Sequence, residues 1–186
     1  SLFPVPCSLF PVPCSLFPTK IPSMKAILAH AFGGPDQLRC EEIADAAPGP
    51  GQVRVRLHAV GVNPFDTYML SGTYAIKPAL PYSPGADGAG FVDAVGDGVS
   101  DLQPGDRVYI GGTAAHKAYG AYREMVLCMA GQVHALPERT SFAEGAAVNV
   151  PCVTAYTALE RGRLRSGDVV LVHGASGAVG LATVQL

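Results

Sequence analysis

A glycine-containing motif near the end of the chain is the pattern with the clearest chemistry. Residues 169–180 read VVLVHGASGAVG and place Ala175-x-Gly177-x-x-Gly180 after a β-branched apolar run. This layout predicts a buried strand at Val169–Val172, a tight turn and the first turn of a helix. Such a turn allows main-chain amide groups to approach the pyrophosphate of a dinucleotide. The residues expected to contact it are Ala175, Ser176, Gly177, Ala178, Val179 and Gly180, and a turn without a ligand is the alternative.

The residues that precede this motif are typical of a β-rich domain. Short β-branched segments alternate with glycine- and proline-containing turns such as Gly96-Asp97-Gly98. Within residues 52–62 apolar and polar side chains alternate, which predicts a strand with one solvated face. We therefore expect a compact β barrel or sandwich. The predicted strands are Lys25–His30, Gln52–Val62, Gly90–Val95, Arg107–Ile110 and Tyr122–Leu127.

Two helices are predicted between the β-rich part and the glycine motif. Ser141 and Glu144 have the spacing of a capping box, in which Ser141 is the N-cap residue of the first helix. The second helix is expected at Pro151–Arg161, because proline is tolerated in a first turn. Its apolar face is expected to consist of Val153, Tyr156 and Leu159.

Composition argues against several classes of partner. The chain has 13 Lys and Arg against 15 Asp and Glu, so it offers no positive field for nucleic acid or anionic lipid. No apolar run of about eighteen residues lacks Pro, Gly or a charge, and no membrane span is expected. Five cysteines without a C-x-x-C pair favour a reducing compartment, so the expected location is the cytoplasm. A small neutral molecule is the expected partner.

The first 23 residues differ from the rest of the chain. SLFPVPC occurs at Ser1–Cys7 and again at Ser8–Cys14, and a third copy starts at Ser15. Two prolines in each unit would interrupt a helix, so we expect a disordered or polyproline-like extension. A Pro-rich ligand segment is the alternative, and our hypothesis is that the natural protein begins at Met24.

Five motifs occur in order along the chain, and they are Gly61–Tyr74, Leu80–Gly90, Gly105–Val108, Gly145–Tyr156 and Val170–Ala182. Together they resemble quinone oxidoreductases of the zeta-crystallin type, which are zinc-free members of the medium-chain dehydrogenase/reductase superfamily. The resemblance implies an α/β protein with a β-rich part. A GroES-like β-barrel domain over residues 24–150 would be followed by the truncated start of a Rossmann nucleotide-binding domain over residues 151–186. NADPH is the implied cofactor, a quinone or conjugated enone the implied substrate, and a homo-oligomer the implied full-length form.

The resemblance also implies three site residues outside the glycine motif. Tyr74 lies where these enzymes have a tyrosine that faces the cofactor, although a tyrosine at a domain edge is the alternative. Asn63 would present its amide to the nicotinamide or substrate, or it is a turn residue before a proline. Thr154 would contact the cofactor, or it bonds its own helix backbone. Asn63 and Tyr74 are thus the candidate catalytic residues, and Tyr74 and Thr154 join the candidate cofactor-binding residues.

No metal site is expected. Zinc alcohol dehydrogenases of the same superfamily place a cysteine and a His-Glu pair in two segments that here contain Asn63–Asp66 and Gly85–Gly88. A structural lobe with four cysteines is also missing from the sequence. These replacements favour a zinc-independent protein.

The sequence after the glycine motif is short for a nucleotide-binding domain. The residue that distinguishes NAD from NADP lies about twenty residues beyond the glycines in such domains, whereas six residues follow Gly180. We therefore expect that the 186-residue chain alone neither binds NADPH tightly nor reduces quinones. The alternative function is that of a non-enzymatic truncated isoform that acts as an interaction or structural protein.

Overall fold

The computed structural model describes residues 23–111 and 120–186, which begin with a small antiparallel sheet. Strand β1 (Ser23–Ala29) pairs with β2 (Leu38–Ala44), and Ser23 lies opposite Ala44. β1 confirms the predicted first strand. β2 is missed by the sequence pattern, because its side chains are mostly exposed and show no clear alternation. The N-terminal extension, which we predict to be disordered, lies outside the described residues apart from Ser23.

A second antiparallel sheet forms the main body of the β-rich part. Its strands are β3 (Gln52–Gly61), β4 (Asp87–Val95), β5 (Arg107–Ile110), β6 (Met125–Met129) and β7 (Val133–Ala135). They lie in the order β6-β3-β4-β5-β7. The register of β3 with β4 has two irregularities, between Arg54 and Val55 and between Leu57 and Ala59. The predicted strands are confirmed with shifted ends, and the short β7 is additional.

The main core lies on one face of this second sheet. Val53, Val55 and Val108 have no exposed surface, and they pack with buried side chains of β4 and β6. The predicted alternation along β3 is confirmed, because Val53 and Val55 are buried while the intervening Arg54 and Arg56 are more exposed. The two arginines pair with the carboxylate of Asp93. Every buried residue of this cluster lies between Val53 and Val133. The core is therefore complete without side chains from the C-terminal helices.

In the part of the chain that the structure describes, four α-helices accompany the sheets, and they are α1 (Pro64–Leu70), α2 (Phe142–Gly145), α3 (Asn149–Arg161) and α4 (Ala178–Gln185). The capping box of α2 is confirmed, since the Glu144 N–H donates to Ser141 Oγ at 3.2 Å and the Ser141 N–H donates to the Glu144 carboxylate at 2.8 Å. α3 confirms the second predicted helix and starts two residues earlier than expected. Within the described residues, none of these helices has the length and apolar character needed to cross a bilayer.

Two predictions for the C-terminal residues are wrong. Val169–Val172 form no strand, and Val169 and Leu171 are 101% and 80% exposed. A parallel strand obtains its hydrogen bonds from strands distant in sequence, and none of the strands in the described part pairs with these residues. The predicted apolar face of α3 is not buried either, since Val153 and Tyr156 are 57% and 59% exposed. The helix instead buries Asn149, Pro151 and Ala155.

Candidate active site

The predicted glycine motif forms an exposed turn in front of α4. Gly174 adopts a positive φ of 70°, which favours glycine, and its carbonyl accepts the N–H of Gly177 at 3.0 Å. Gly177 is the N-cap residue of α4, and the residues from Ala175 to Val179 are exposed. The N–H groups of the first helical turn have no partner within a helix. The turn therefore presents backbone donors on an accessible surface.

The two glycines of the motif have different local requirements. A Cβ on Gly180 would lie 2.2 Å from the carbonyl oxygen of Gly174 and 2.7 Å from the Cα of Ala175. A Cβ on Gly177 would lie 3.4 Å from the same carbonyl oxygen, which is an ordinary contact. Gly180 is thus needed for packing α4 against its own turn. At Gly177, the N-cap residue of α4, the protein leaves room for a side chain, so local packing does not require glycine there.

A buried polar cluster lies at the other end of the site, around the carboxylate of Asp87 on β4. Asp87 is 1% exposed, and its Oδ2 accepts the side-chain Nδ2 of Asn63 at 2.8 Å. Its Oδ1 accepts the side-chain Nδ2 of Asn149 at 2.9 Å and the backbone N–H of Val150 at 3.1 Å. The carboxylate therefore joins the loop before α1 to the first turn of α3.

A second buried carboxylate, that of Asp66 in α1, lies on the other side of Asn63. Asp66 Oδ2 accepts the backbone N–H of Asn63 at 2.8 Å and the hydroxyl of Tyr122 at 3.3 Å. Burial raises the pKa of Asp66, although these hydrogen bonds oppose the shift. Burial and the charge of Asp66 also raise the pKa of Tyr122 far above its ordinary value. Tyr122 is therefore a neutral phenol that donates to Asp66, and Asn63 is held between two carboxylates.

The candidate catalytic residues lie near this cluster. Asn63 is 8% exposed, and its amide nitrogen is bonded to Asp87. Tyr74 is 37% exposed, and its ring centroid lies 5.9 Å from that of Phe65, two residues after Asn63. Asn63 thus caps α1 at its start, while Tyr74 follows the end of that helix, turns its ring toward Phe65 and is the more accessible of the two. Their predicted roles remain predictions.

Helix α3 connects the polar cluster to the glycine turn. Its first turn bonds to Asp87, its later residues pack against α4, and Thr154 is exposed one turn after Val150. Among the described residues, no hydrogen bond or ring contact joins Asn63 or Tyr74 directly to the Gly174–Gly180 turn. The contacts therefore place the ring of Tyr74 beside Phe65, in the helix that Asn63 caps, while the glycine turn and Thr154 are linked to the cluster around Asn63 through α3.

Sequence reasoning misses most of the polar cluster. It treats Asp66 and Asp87 only as replacements for zinc ligands, and it assigns no role to Asn149 or Tyr122. The sequence contains one signal for this cluster, namely Asp87 between Ala86 and Gly88 at the start of a strand. If such a carboxylate is buried, it must be paired. Its donor Asn149 lies 62 residues away, so the pairing itself requires the fold.

Within residues 23–111 and 120–186, no group of three His, Cys, Asp or Glu side chains is arranged to hold a metal ion.

Comparison with known proteins shows which proteins this chain is similar to. Residues 49–138 match the alcohol dehydrogenase GroES-like domain. The chain is 48% identical to the quinone oxidoreductase of Rattus norvegicus over 165 residues, which are 88% of this chain and 49% of that protein. The chain therefore spans about half the length of the curated relatives that it matches.

Solved structures of related enzymes share the fold. Escherichia coli quinone oxidoreductase complexed with NADPH superposes with a TM-score of 0.77 at 34% identity, over 87% of this chain and 48% of that one. The human synaptic vesicle membrane protein VAT-1 homolog-like protein superposes with a TM-score of 0.81 at 36% identity, over 88% and 52%. The predicted fold class is confirmed, namely a GroES-like β domain followed by the start of a Rossmann domain. By sequence and by fold, this chain is a relative of the quinone oxidoreductases of the medium-chain dehydrogenase/reductase superfamily.

Proposed function

We propose that this chain contributes the substrate-binding half and the first cofactor contacts of an NADPH-dependent quinone reductase. The observation that carries the proposal is the exposed glycine turn, which α3 links to the buried cluster around Asn63. The relatives support it, since the rat protein is a quinone oxidoreductase and the Escherichia coli enzyme was solved with NADPH. A quinone is the proposed substrate, with a conjugated enone as the second class.

The residues of the glycine turn fit a dinucleotide. From Ala175 to Gly180 the largest side chain is that of Val179, so a diphosphate can approach the backbone closely. The exposed amide donors at the start of α4 match an anion, and the helix dipole favours negative charge there. NADPH bound at this turn would supply the reducing equivalents for the reaction.

The β-rich part would act mainly by positioning. The ring of Tyr74 is tilted by 52° against that of Phe65 and is partly exposed, so its own face offers a flat surface on which a planar quinone or nicotinamide can lie. Asn63 is fixed by its hydrogen bonds to Asp66 and Asp87, so its amide has one defined orientation. Thr154 exposes its hydroxyl on α3 for a polar contact with the cofactor. Alignment of two flat reactants requires few acid or base groups.

The test is an assay of NADPH oxidation against a panel of quinones and one enone. The protein should carry this chain together with a complete nucleotide-binding half. Replacing Tyr74→Ala should lower kcat/KM about tenfold, because the flat surface is lost. Tyr68→Ala is the matched control, since Tyr68 is 54% exposed on α1, the helix that Tyr74 follows, and its replacement should leave kcat/KM unchanged. Absence of turnover with every quinone and with the enone would overturn the proposal.

A second function, association without catalysis, is favoured by the exposed apolar residues of the C-terminal part. Val169, Leu171 and Val184 are exposed, and α3 and α4 border an open groove of about 820 Å³. Fluorescence titration of the 186-residue chain with NADPH separates the two functions. A micromolar Kd would favour a cofactor site that is complete in this chain, whereas no saturable binding together with self-association would favour the second function.

The proposal includes the cytoplasm as location and a homo-oligomer as the full-length form. Within the described part, Cys40, Cys128 and Cys152 are free thiols, which fits a reducing compartment.

A further inference from the structure

The carboxylate of Asp87 is the point at which three separate segments of the chain meet. Its Oδ2 takes one donor, from Asn63, and its Oδ1 takes two, from Asn149 and the backbone of Val150. The side chain is almost fully buried, and all of these contacts are between 2.8 and 3.1 Å. A buried carboxylate keeps its charge only when such donors surround it.

The backbone around Asp87 is shaped for this meeting. A Cβ on Gly61 would lie 2.7 Å from the Cβ of Asp87 and 2.6 Å from the carbonyl oxygen of Ala146. A Cβ on Gly111 would lie 3.0 Å from the Oδ1 of Asn149. Glycines at these two positions therefore allow the end of β3 and the segment after β5 to approach Asp87 and Asn149.

We infer that Asp87 is a positioning residue that orients Asn63 and fixes the first turn of α3 against the β-rich part. Through α3, the same carboxylate would set the position of α4 and its glycine turn relative to Asn63. The role of Asn63 in this inference rests on the proposed function. Asp87 itself touches neither reactant and acts through the residues that it holds.

The arrangement of donors predicts which compensating change can replace Asp87. In Asp87→Asn, an NH2 group replaces one of the two carboxylate oxygens. Because both oxygens accept hydrogen bonds from N–H groups, the new NH2 group then faces another donor. Combining it with Asn63→Asp restores complementarity, because the new amide nitrogen donates to residue 63 while its oxygen still accepts from Asn149 and Val150. Asp is also a favoured N-cap residue at the start of α1. Combining it with Asn149→Asp fails, because the backbone N–H of Val150 would still face an NH2 group.

The experiment compares Asp87→Asn with these two double variants. Asp87→Asn should lower the thermal midpoint of the chain by about 5 °C and speed amide exchange at Val150. The double variant with Asn63→Asp should recover more than half of the midpoint and the protection of Val150, whereas the one with Asn149→Asp should recover neither. Equal recovery by both double variants, or no change in Asp87→Asn, would overturn the inference.

Activity separates positioning from simple stabilisation. With the complete nucleotide-binding half, and at a temperature well below its thermal midpoint so that the protein is folded, Asp87→Asn should lower kcat at least tenfold. An unchanged kcat in the folded Asp87→Asn protein would show a structural role alone and would contradict the inference. Asp93→Asn is the control, since it removes a carboxylate of the same strand that pairs with Arg54 and Arg56 and should leave kcat unchanged.

Failure of the proposed function can be recognised separately. If the parent enzyme reduces no quinone, the midpoint and exchange measurements still decide whether Asp87 holds Asn63 and α3, because they need neither cofactor nor substrate.

Discussion

The β-rich part, from β1 to β7, and the C-terminal part, from α3 to α4, differ in how their apolar residues are covered. In the β-rich part, Val53 and Val55 are fully buried by strands that follow within about eighty residues. In the C-terminal part, the apolar run at 169–172 pairs with none of the strands in residues 23–111 and 120–186, and Val169 is fully exposed. Both segments are rich in valine, but Val53 and Val55 alternate with polar residues, whereas residues 169–172 are apolar throughout. Burial therefore depends on the partners within reach and not on hydrophobicity alone.

This difference divides the proposed site. Asn63, Asp66 and Asp87 lie in the part with a complete core, where buried hydrogen bonds fix their orientation. The glycine turn lies in the part whose apolar residues are exposed, and it is tied to the rest through α3. The proposed substrate side is thus preorganised by hydrogen bonds in this chain, while the proposed cofactor side depends on how well α3 and α4 are held.

The largest effect is expected from adding the same methyl group to a glycine in each part. A Cβ on Gly90 would lie 1.9 Å from the carbonyl oxygen of Arg56, inside the main sheet. Gly90→Ala should therefore lower the free energy of unfolding by about 3 kcal/mol, because β3 and β4 must separate. Gly180→Ala has a similar clash, at 2.2 Å from Gly174, but the exposed turn can shift. We expect a loss of about 1 kcal/mol or less, measured by urea unfolding.

The control for both variants is Gly131→Ala. Nothing lies within 4 Å of a Cβ at Gly131, so its free energy of unfolding should stay within about 0.5 kcal/mol of the parent. If Gly180→Ala were as destabilising as Gly90→Ala, the two parts would unfold as one unit and the comparison would be wrong.

The next largest effect on stability is expected from shortening a buried valine of the β-rich part, compared with an exposed valine of the C-terminal part. Val55→Ala removes two methyl groups from a site with no exposed surface and should cost about 2 kcal/mol of stability. Val169→Ala removes the same atoms from a fully exposed side chain and should change stability by less than about 0.5 kcal/mol. Denaturant titration of both variants measures the difference. A measurable loss for Val169→Ala would indicate that residue 169 is covered in solution, for instance by a second copy of the chain.

The sequence predicts the antiparallel part of this fold better than the C-terminal part, for a physical reason. Alternation along β3 and the capping box at Ser141 depend on local contacts, and both are confirmed. The run Val169–Val172 has the composition of a buried strand, but strand formation requires neighbours that composition cannot reveal.

The candidate site shows the same limit. The exposed glycine turn follows from its motif, and the family resemblance places Asn63 and Tyr74 near each other. The bonds from Asn149 and Val150 to Asp87 join residues more than sixty positions apart, so only the fold reveals them.

The smallest expected effect is the pH dependence of the β-rich part, in which two aspartates act in opposite directions. Burial raises the pKa of Asp66 above its ordinary value of 3.8. For Asp93, burial also acts to raise the pKa, but hydrogen bonds and charges of Arg56 and Arg54 outweigh it and lower the pKa.

Between 3.8 and the raised pKa, the folded protein binds more protons at Asp66 than the unfolded chain, so stability falls as pH rises. Between the lowered pKa and 3.8, the folded protein binds fewer at Asp93, so stability falls as pH falls.

Asp66→Asn and Asp93→Asn should therefore change opposite sides of the stability profile. Asp66→Asn should reduce the decline in unfolding free energy above pH 3.8, and Asp93→Asn should reduce the decline below it, as measured by urea unfolding across a pH series. Both groups lie in the β-rich part, so neither variant should alter amide exchange within α4. A change in α4 exchange with Asp66→Asn would mean that the cluster around Asn63 also controls the glycine turn. In that case, the buried carboxylates would couple the two parts more strongly than their separate burial suggests.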